Sequence, residues 1–302
     1  MKNKETYKTF IFSYFWILLI AAVFIYYFPG VWHRPSIIYI YLKQAAVWFP
    51  VISGILMLAC CKEVNIAVGE QIAFGVCLSG FLKSRFHLPV VFILVMVLVS
   101  TVAITILFCW VYHLCRAKFI WISIVFQMFY LEINAYVKMH IIPEGNEIKE
   151  SFWGMIGIIL ICSVGIFLYL NHTVPGRMIS FYYIVDAERI KCGAFIVSSL
   201  LTSMTALLYF IRSGSTTMVQ GEYIGYTLLQ VLGICGVYRL SRRNLLLRAA
   251  MGSIVFVMLH AIEQIWGFGS REDIMISGVL FLWAVWQMSD HTKYLMDGEK
   301  KE

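Results

Sequence analysis

The sequence predicts an all-α, polytopic membrane bundle. Of its 302 residues, 61% are hydrophobic and only 14% are charged, and the mean hydropathy is +0.80. A soluble domain keeps a far more polar surface than this. Several apolar runs exceed the roughly 20 residues a helix needs to cross a bilayer. Between the runs no stretch exceeds about twenty residues, too few to bury a core of their own. We therefore expect one transmembrane domain over residues 1–302, with about ten spans.

The basic start MKNKETYKTF leads into an apolar run over roughly residues 9–28. This resembles a signal peptide, but the run ends in FIYYFPG without a small-residue cleavage site, so a retained first span is expected. Span two covers about 37–60 and is followed by the polar interruption KEVNIAVGEQ. A short run at 72–82 stops at KSRFH, which predicts a short, broken third helix. The interruption then extends it into the membrane and lines a cavity. Further spans are expected near 88–114, 119–137, 152–170, 192–211, 224–238, 245–266 and 274–288.

Between spans six and seven lies NHTVPGRMISFYYIVDAERIK, residues 171–191. Its turn formers and charges cannot remain in lipid, so it must lie in water or against a partner. With both termini inside, fifteen Lys and Arg fall on the inner side and eight on the outer side or in outer span ends. The positive-inside rule then makes residues 171–191 cytoplasmic.

Composition and motifs exclude several classes. The formal net charge of +7 is topology signal, and no basic face with interleaved aromatics points to nucleic acid. No GxxxxGK[ST] phosphate loop is present, so nucleotide-driven work must come from another polypeptide. No HExxH, GxSxG or paired-carboxylate motif supports an enzyme, and neither a metal nor another cofactor is expected. The eight cysteines, at 60, 61, 77, 109, 115, 162, 192 and 235, fit neither a zinc site nor a secreted disulfide framework. They read as small buried apolar residues.

Ionisable and amide groups inside spans need a reason, since charges there cost about 2.5–3.5 kcal/mol on insertion scales. Glu63, Asn65 and Gln71 lie in the polar break, where they face either a transport path or a cytoplasmic turn. Glu132 on span five lines a polar path or sits at the outer interface near Lys138 and His140. His260, Glu263 and Gln264 share helical spacing on span nine. They suit either a hydroxyl-rich solute or interhelical hydrogen bonding. Asp186, Glu188, Arg189 and Lys191 form a mixed-charge helix start, which either docks on a partner groove or ends a solvated loop. Arg239, Arg242 and Arg243 are positive-inside anchors.

Four stretches together resemble the membrane-permease subunits of ATP-binding cassette importers for simple sugars, the ribose and autoinducer branch. In LMLACCKEVNIAVGEQIAFGVCLSG, Val68 and Gly69 match, Asn65 stands where the family has Asp, and Glu63 lies near a usual Gly. HTVPGR matches the family's HT-x-x-GR through His172, Thr173, Gly176 and Arg177. GEYIGYTLLQVLG matches at Gly221, Val231, Leu232 and Gly233. MGSIVFVMLHAIEQIWG matches at Gly252 and Gly267, with His260 and Gln264 on Asn positions.

The resemblance implies a permease for a neutral sugar or nucleoside-like solute in the cell membrane. It implies three partners: an ATP-binding cassette subunit, a second permease copy or homologue, and an extracytoplasmic solute-binding protein. Coupling to the ATPase falls to Thr173, Gly176, Arg177, Asp186, Glu188 and Arg189. The loop after Arg177 is shorter than the family's by roughly nine residues in alignment, and RLSRRN replaces a glycine-rich turn. These departures open a second reading, a non-transporting or regulatory subunit of a heterodimeric membrane complex.

Overall fold

The computed structural model describes residues 17–29, 34–61, 63–115, 117–140, 152–178, 188–213, 221–234, 245–266 and 275. Among them every regular element is an α-helix. The order begins with α1 (Ile17–Tyr27). There follow α2 (Pro35–Cys60), α3 (Val68–Phe86), α4 (Val90–Cys115), α5 (Phe119–Met139), α6 (Phe152–His172), α7 (Val174–Met178), α8 (Glu188–Ser213), α9 (Gly221–Ile234) and α10 (Leu245–Trp266). Five stretches among the described residues are long and apolar enough to cross a membrane: Ser36–Cys60, Val90–Cys115, Phe119–Met139, Glu188–Ser213 and Leu245–Ile262. That is half the expected ten. Ile17–Tyr27, Ile159–His172 and Ile224–Ile234 are shorter apolar helices. The expected last span at 274–288 lies outside the described residues except for Met275.

The third helix takes in part of the polar interruption, as expected, and runs further than expected at its far end. It is 19 residues long, because it takes in the polar residues on both sides of the apolar run. Glu70 and Gln71 enter its first turns since both side chains are buried with partners. At its far end His87 adopts a left-handed conformation (φ 50°, ψ 32°) and donates its N–H to the Lys83 carbonyl. Such a cap ends a helix by satisfying one of its last carbonyls. The break itself is present: α2 stops at Cys60, and α3 begins at Val68.

The chain divides into two compact units, residues 46–225 and residues 1–45 with 226–302. In the first, α8 is the central helix, two-thirds buried (67%) across its span. It carries a stripe of small and hydroxyl residues, Ser198, Ser199, Thr202, Ser203, Thr205 and Ala206, all buried. Thr202 and Ser203 donate to the carbonyls of Ser198 and Ser199 at 2.9 Å, so their hydroxyls are satisfied within the helix. Small residues let backbones approach, which is how helices associate where lipid removes the hydrophobic drive. A Cβ on Gly54 of α2 would lie 2.9 Å from Ser198 Oγ, and one on Gly75 of α3 would lie 2.6 Å from Ala206 Cβ. Pro50 sits inside α2, where proline loosens the backbone ladder. Thr205 Oγ1 accepts from the Val51 N–H there at 3.0 Å, as neighbouring hydroxyls do for prolines in membrane helices.

Antiparallel α4 and α8 meet through aromatics. Phe108 packs on Phe195 at 4.4 Å and on Phe119 and Phe126 at 4.9 and 4.7 Å. The opposite side of α4 exposes Val91, Val95, Val99 and Trp110, the surface a lipid-facing helix presents. In the second unit the core holds Ile20, Phe24, Ile234, Val255, Ala261 and Ile262. Phe24 stacks on Phe28 at 4.7 Å and meets the edge of Tyr41 at 5.3 Å.

Candidate functional site

The break between α2 and α3 is built around Asn65, which is 3% exposed. Its Oδ1 accepts from the Ala67 N–H at 3.0 Å and from the Ser123 hydroxyl at 2.9 Å. Ser123, on α5, accepts in turn from the backbone N–H groups of Ile66 at 2.8 Å and Ala67 at 3.3 Å. Asn65 Nδ2 donates to Gln71 Oε1 at 3.4 Å. Non-helical backbone in an apolar bundle must find such partners, because each unmade bond there costs several kcal/mol. Asn65 and Gln71 are thus brought together, and one sequence-expected pair forms a real cluster. Ser123→Ala removes the acceptor of the Ile66 amide and the longer of the two bonds made by the Ala67 amide. It is expected to cost about 1–3 kcal/mol, read as a lowered midpoint in thermal unfolding of the detergent-solubilised chain.

One turn into α3, Glu70 is buried to 5% exposure. The Asn134 side-chain amide on α5 donates to its carboxylate Oε2 at 2.7 Å and to its backbone carbonyl at 3.0 Å. On the other side, α9 presses its backbone on α3. A Cβ on Gly69 would fall on the Gly221 carbonyl oxygen and lie 2.5 Å from the Gly225 nitrogen. A Cβ on Gly221 would lie 2.6 Å from the Glu70 carboxyl carbon and Oε1. Gly221 and Gly225 are four apart, the spacing that puts two glycines on one helix face. Two buried atoms here, Gln71 Nε2 and Asn134 Oδ1, have no hydrogen-bond partner among the described residues. One is a donor and the other an acceptor.

The break is tied to the helix that follows the central segment. Lys191 Nζ on α8 donates to Glu63 Oε1 at 2.7 Å, with both side chains only 16% exposed. Beside them Cys61 is 3% exposed. Burial first, then the Glu63 carboxylate, pushes its thiol up to about 12, with Lys191 opposing. It therefore stays protonated at neutral pH and is a poor nucleophile. At the same end Glu188 Oε2 meets His113 Nδ1 of α4 at 2.8 Å, an exposed contact of small energetic weight. Thr173 begins α7: its hydroxyl donates to the Tyr169 carbonyl at 2.6 Å and accepts from the Gly176 N–H at 3.0 Å. Gly176 is buried with its Cα against the Tyr169 backbone, which leaves no room for a side chain. Arg177 and Arg189 are exposed. Asp186 lies outside the described residues.

Glu132 is exposed on α5, two residues from buried Asn134, so the pair points to different sides of its helix. His260 of α10 lies in the second unit, stacked near Phe256 at 6.3 Å. Glu263 and Gln264 belong to α10, and their side chains are outside the described residues.

Sequence reasoning passed over Glu70, Ser123, and the role of Asn134 as donor to Glu70. The signal for Glu70 was available: an acid directly after Val68 and Gly69, in the first turn of a helix, where the dipole favours negative charge. No group of three or more His, Cys, Asp or Glu among the described residues converges to hold a metal ion. No family model matches the chain, and no curated protein matches it either.

Proposed function

We propose that the chain is the membrane permease subunit of an ATP-driven importer for a small neutral polar solute, a simple sugar or nucleoside-like molecule. The Glu63–Lys191 ion pair carries this reading, because it links the buried polar break to the first turn of the helix leaving the central segment. A push on residues 171–191 from a nucleotide-hydrolysing partner would reach the break through one contact. The free donor on Gln71 and free acceptor on Asn134 suit a hydroxyl-bearing solute. In this reading the chain makes ten spans in the plasma membrane with both termini inside. It pairs with a second permease, an ATP-binding cassette subunit and an extracytoplasmic binding protein.

The short loop after Arg177 favours a second reading, a permease-like regulatory subunit that does not transport. One experiment separates the two. The complex, purified with its partners and placed in proteoliposomes, is assayed for ATP-dependent uptake of labelled monosaccharides and nucleosides. Transport predicts uptake that falls at least about tenfold in Lys191→Met, the loss expected for a coupling worth about 1.4 kcal/mol or more. An intact complex without ATP-stimulated uptake of any solute supports the regulatory reading instead.

A further inference from the structure

The contacts between α4 and α8 form a ladder in which positions ascend along one helix and descend along the other. Phe108 faces Phe195 with centroids 4.4 Å apart, and His113 faces Glu188 at 2.8 Å. The same antiparallel register sets Cys109 opposite Cys192, between the Phe108–Phe195 and His113–Glu188 contacts, and makes the two thiols side-chain neighbours. Both cysteines are partly exposed, whereas Cys60, Cys61, Cys77 and Cys162 are buried. They also lie in the turns next to exposed His113 and Glu188.

We propose that Cys109 and Cys192 form a redox-active dithiol that closes reversibly into a disulfide clasp between α4 and α8. The oxidant is a low-molecular-weight disulfide. One cysteine, as thiolate, attacks it, forms a mixed disulfide and releases one small thiol. The second cysteine gives up its proton and attacks the protein-side sulfur, releasing the second small thiol. Two protein thiols thus lose two electrons and two protons, which leave as two molecules of small thiol. In a reducing compartment such a dithiol stays reduced under normal poise and closes under oxidative load. The closed clasp holds the start of α8, and with it Lys191, against α4. The inference stands whether or not the chain transports a solute.

The test uses the full chain in membrane vesicles. Vesicles are treated with oxidised glutathione, free thiols are blocked with N-ethylmaleimide, and the chain is denatured and reduced. A polyethylene-glycol maleimide then labels every cysteine that had been reversibly oxidised. In a Cys115→Ser/Cys235→Ser background, used for every chain in this assay, the chain otherwise wild type is expected to gain two labels. Cys109→Ser and Cys192→Ser are each expected to gain at most one, from a mixed disulfide on the remaining cysteine. Where a serine variant does not accumulate, peptide mapping of the oxidised wild type replaces it, and linked peptides carrying Cys109 and Cys192 are expected. No added label in the otherwise wild-type chain, two labels retained in both serine variants, or a mapped linkage between other cysteines overturns the proposal.

Discussion

Gly69→Ala is expected to force α3 and α9 apart and to destabilise the chain strongly. Its new Cβ would meet the Gly221 carbonyl and the Gly225 nitrogen, at 2.5 Å from the latter. These are backbone atoms, which cannot rotate aside as a side-chain tip can. The cost is expected at or above the top of the roughly 1–3 kcal/mol that overpacking brings. It is read as loss of the monodisperse peak in size-exclusion chromatography, or as a much lower unfolding midpoint. Gly165→Ala on α6 is the control. Nothing lies within 4 Å of its Cβ, and alanine favours a helix over glycine by about 0.5–1 kcal/mol. Its stability is expected to be unchanged or slightly higher. If both variants behave alike, the tight α3–α9 contact is not there.

Asn134→Leu is the second large effect. The Asn134 amide serves both the carboxylate and the backbone carbonyl of Glu70, at 2.7 and 3.0 Å. Removing it takes one side-chain donor from a buried acidic group, a change that costs about 1.5–3 kcal/mol when the group is charged. Replacing both partners by leucine takes away the acid as well, so Glu70→Leu/Asn134→Leu is expected to be more stable than Asn134→Leu alone. A double-mutant cycle on chemical unfolding reads this as a coupling of about 1–3 kcal/mol. Strictly additive losses would show that Glu70 does not depend on Asn134.

The two predictions concern residues that were unequally visible in the sequence. The broken segment was legible as KEVNIAVGEQ, since a polar run between apolar spans must leave the helix or find partners. Asn65 and Gln71 were picked out for that reason, and they do share a hydrogen bond. Glu70 was not picked out, because a lone acid at the edge of an apolar run reads as the boundary of a span. Its burial depends on Asn134, sixty-four positions away, which no local pattern can connect to it. Hydropathy measures side chains as though each met lipid alone, whereas Glu70 and Gln71 meet partners.

Glu63 and Lys191 show the same limit from the other side. Glu63 was read as part of the polar break and Lys191 as part of a mixed-charge helix start. Their 2.7 Å contact across 128 positions turns two separate boundary charges into one link. The cysteines read as apolar fillers because their spacing matched no motif. Only the helix register places Cys109 opposite Cys192.

The sequence alone determined that this chain is an all-helical protein of membrane character, where its apolar runs lie, and that the chain is interrupted after α2. Those properties follow from transfer energies and backbone hydrogen bonding, which act residue by residue. Only the tertiary structure decided which polar groups are buried, which charges pair, and which glycines bring backbones together. These depend on contacts between positions far apart in the chain, and burial in an apolar bundle rewards a polar group only after its partner has arrived.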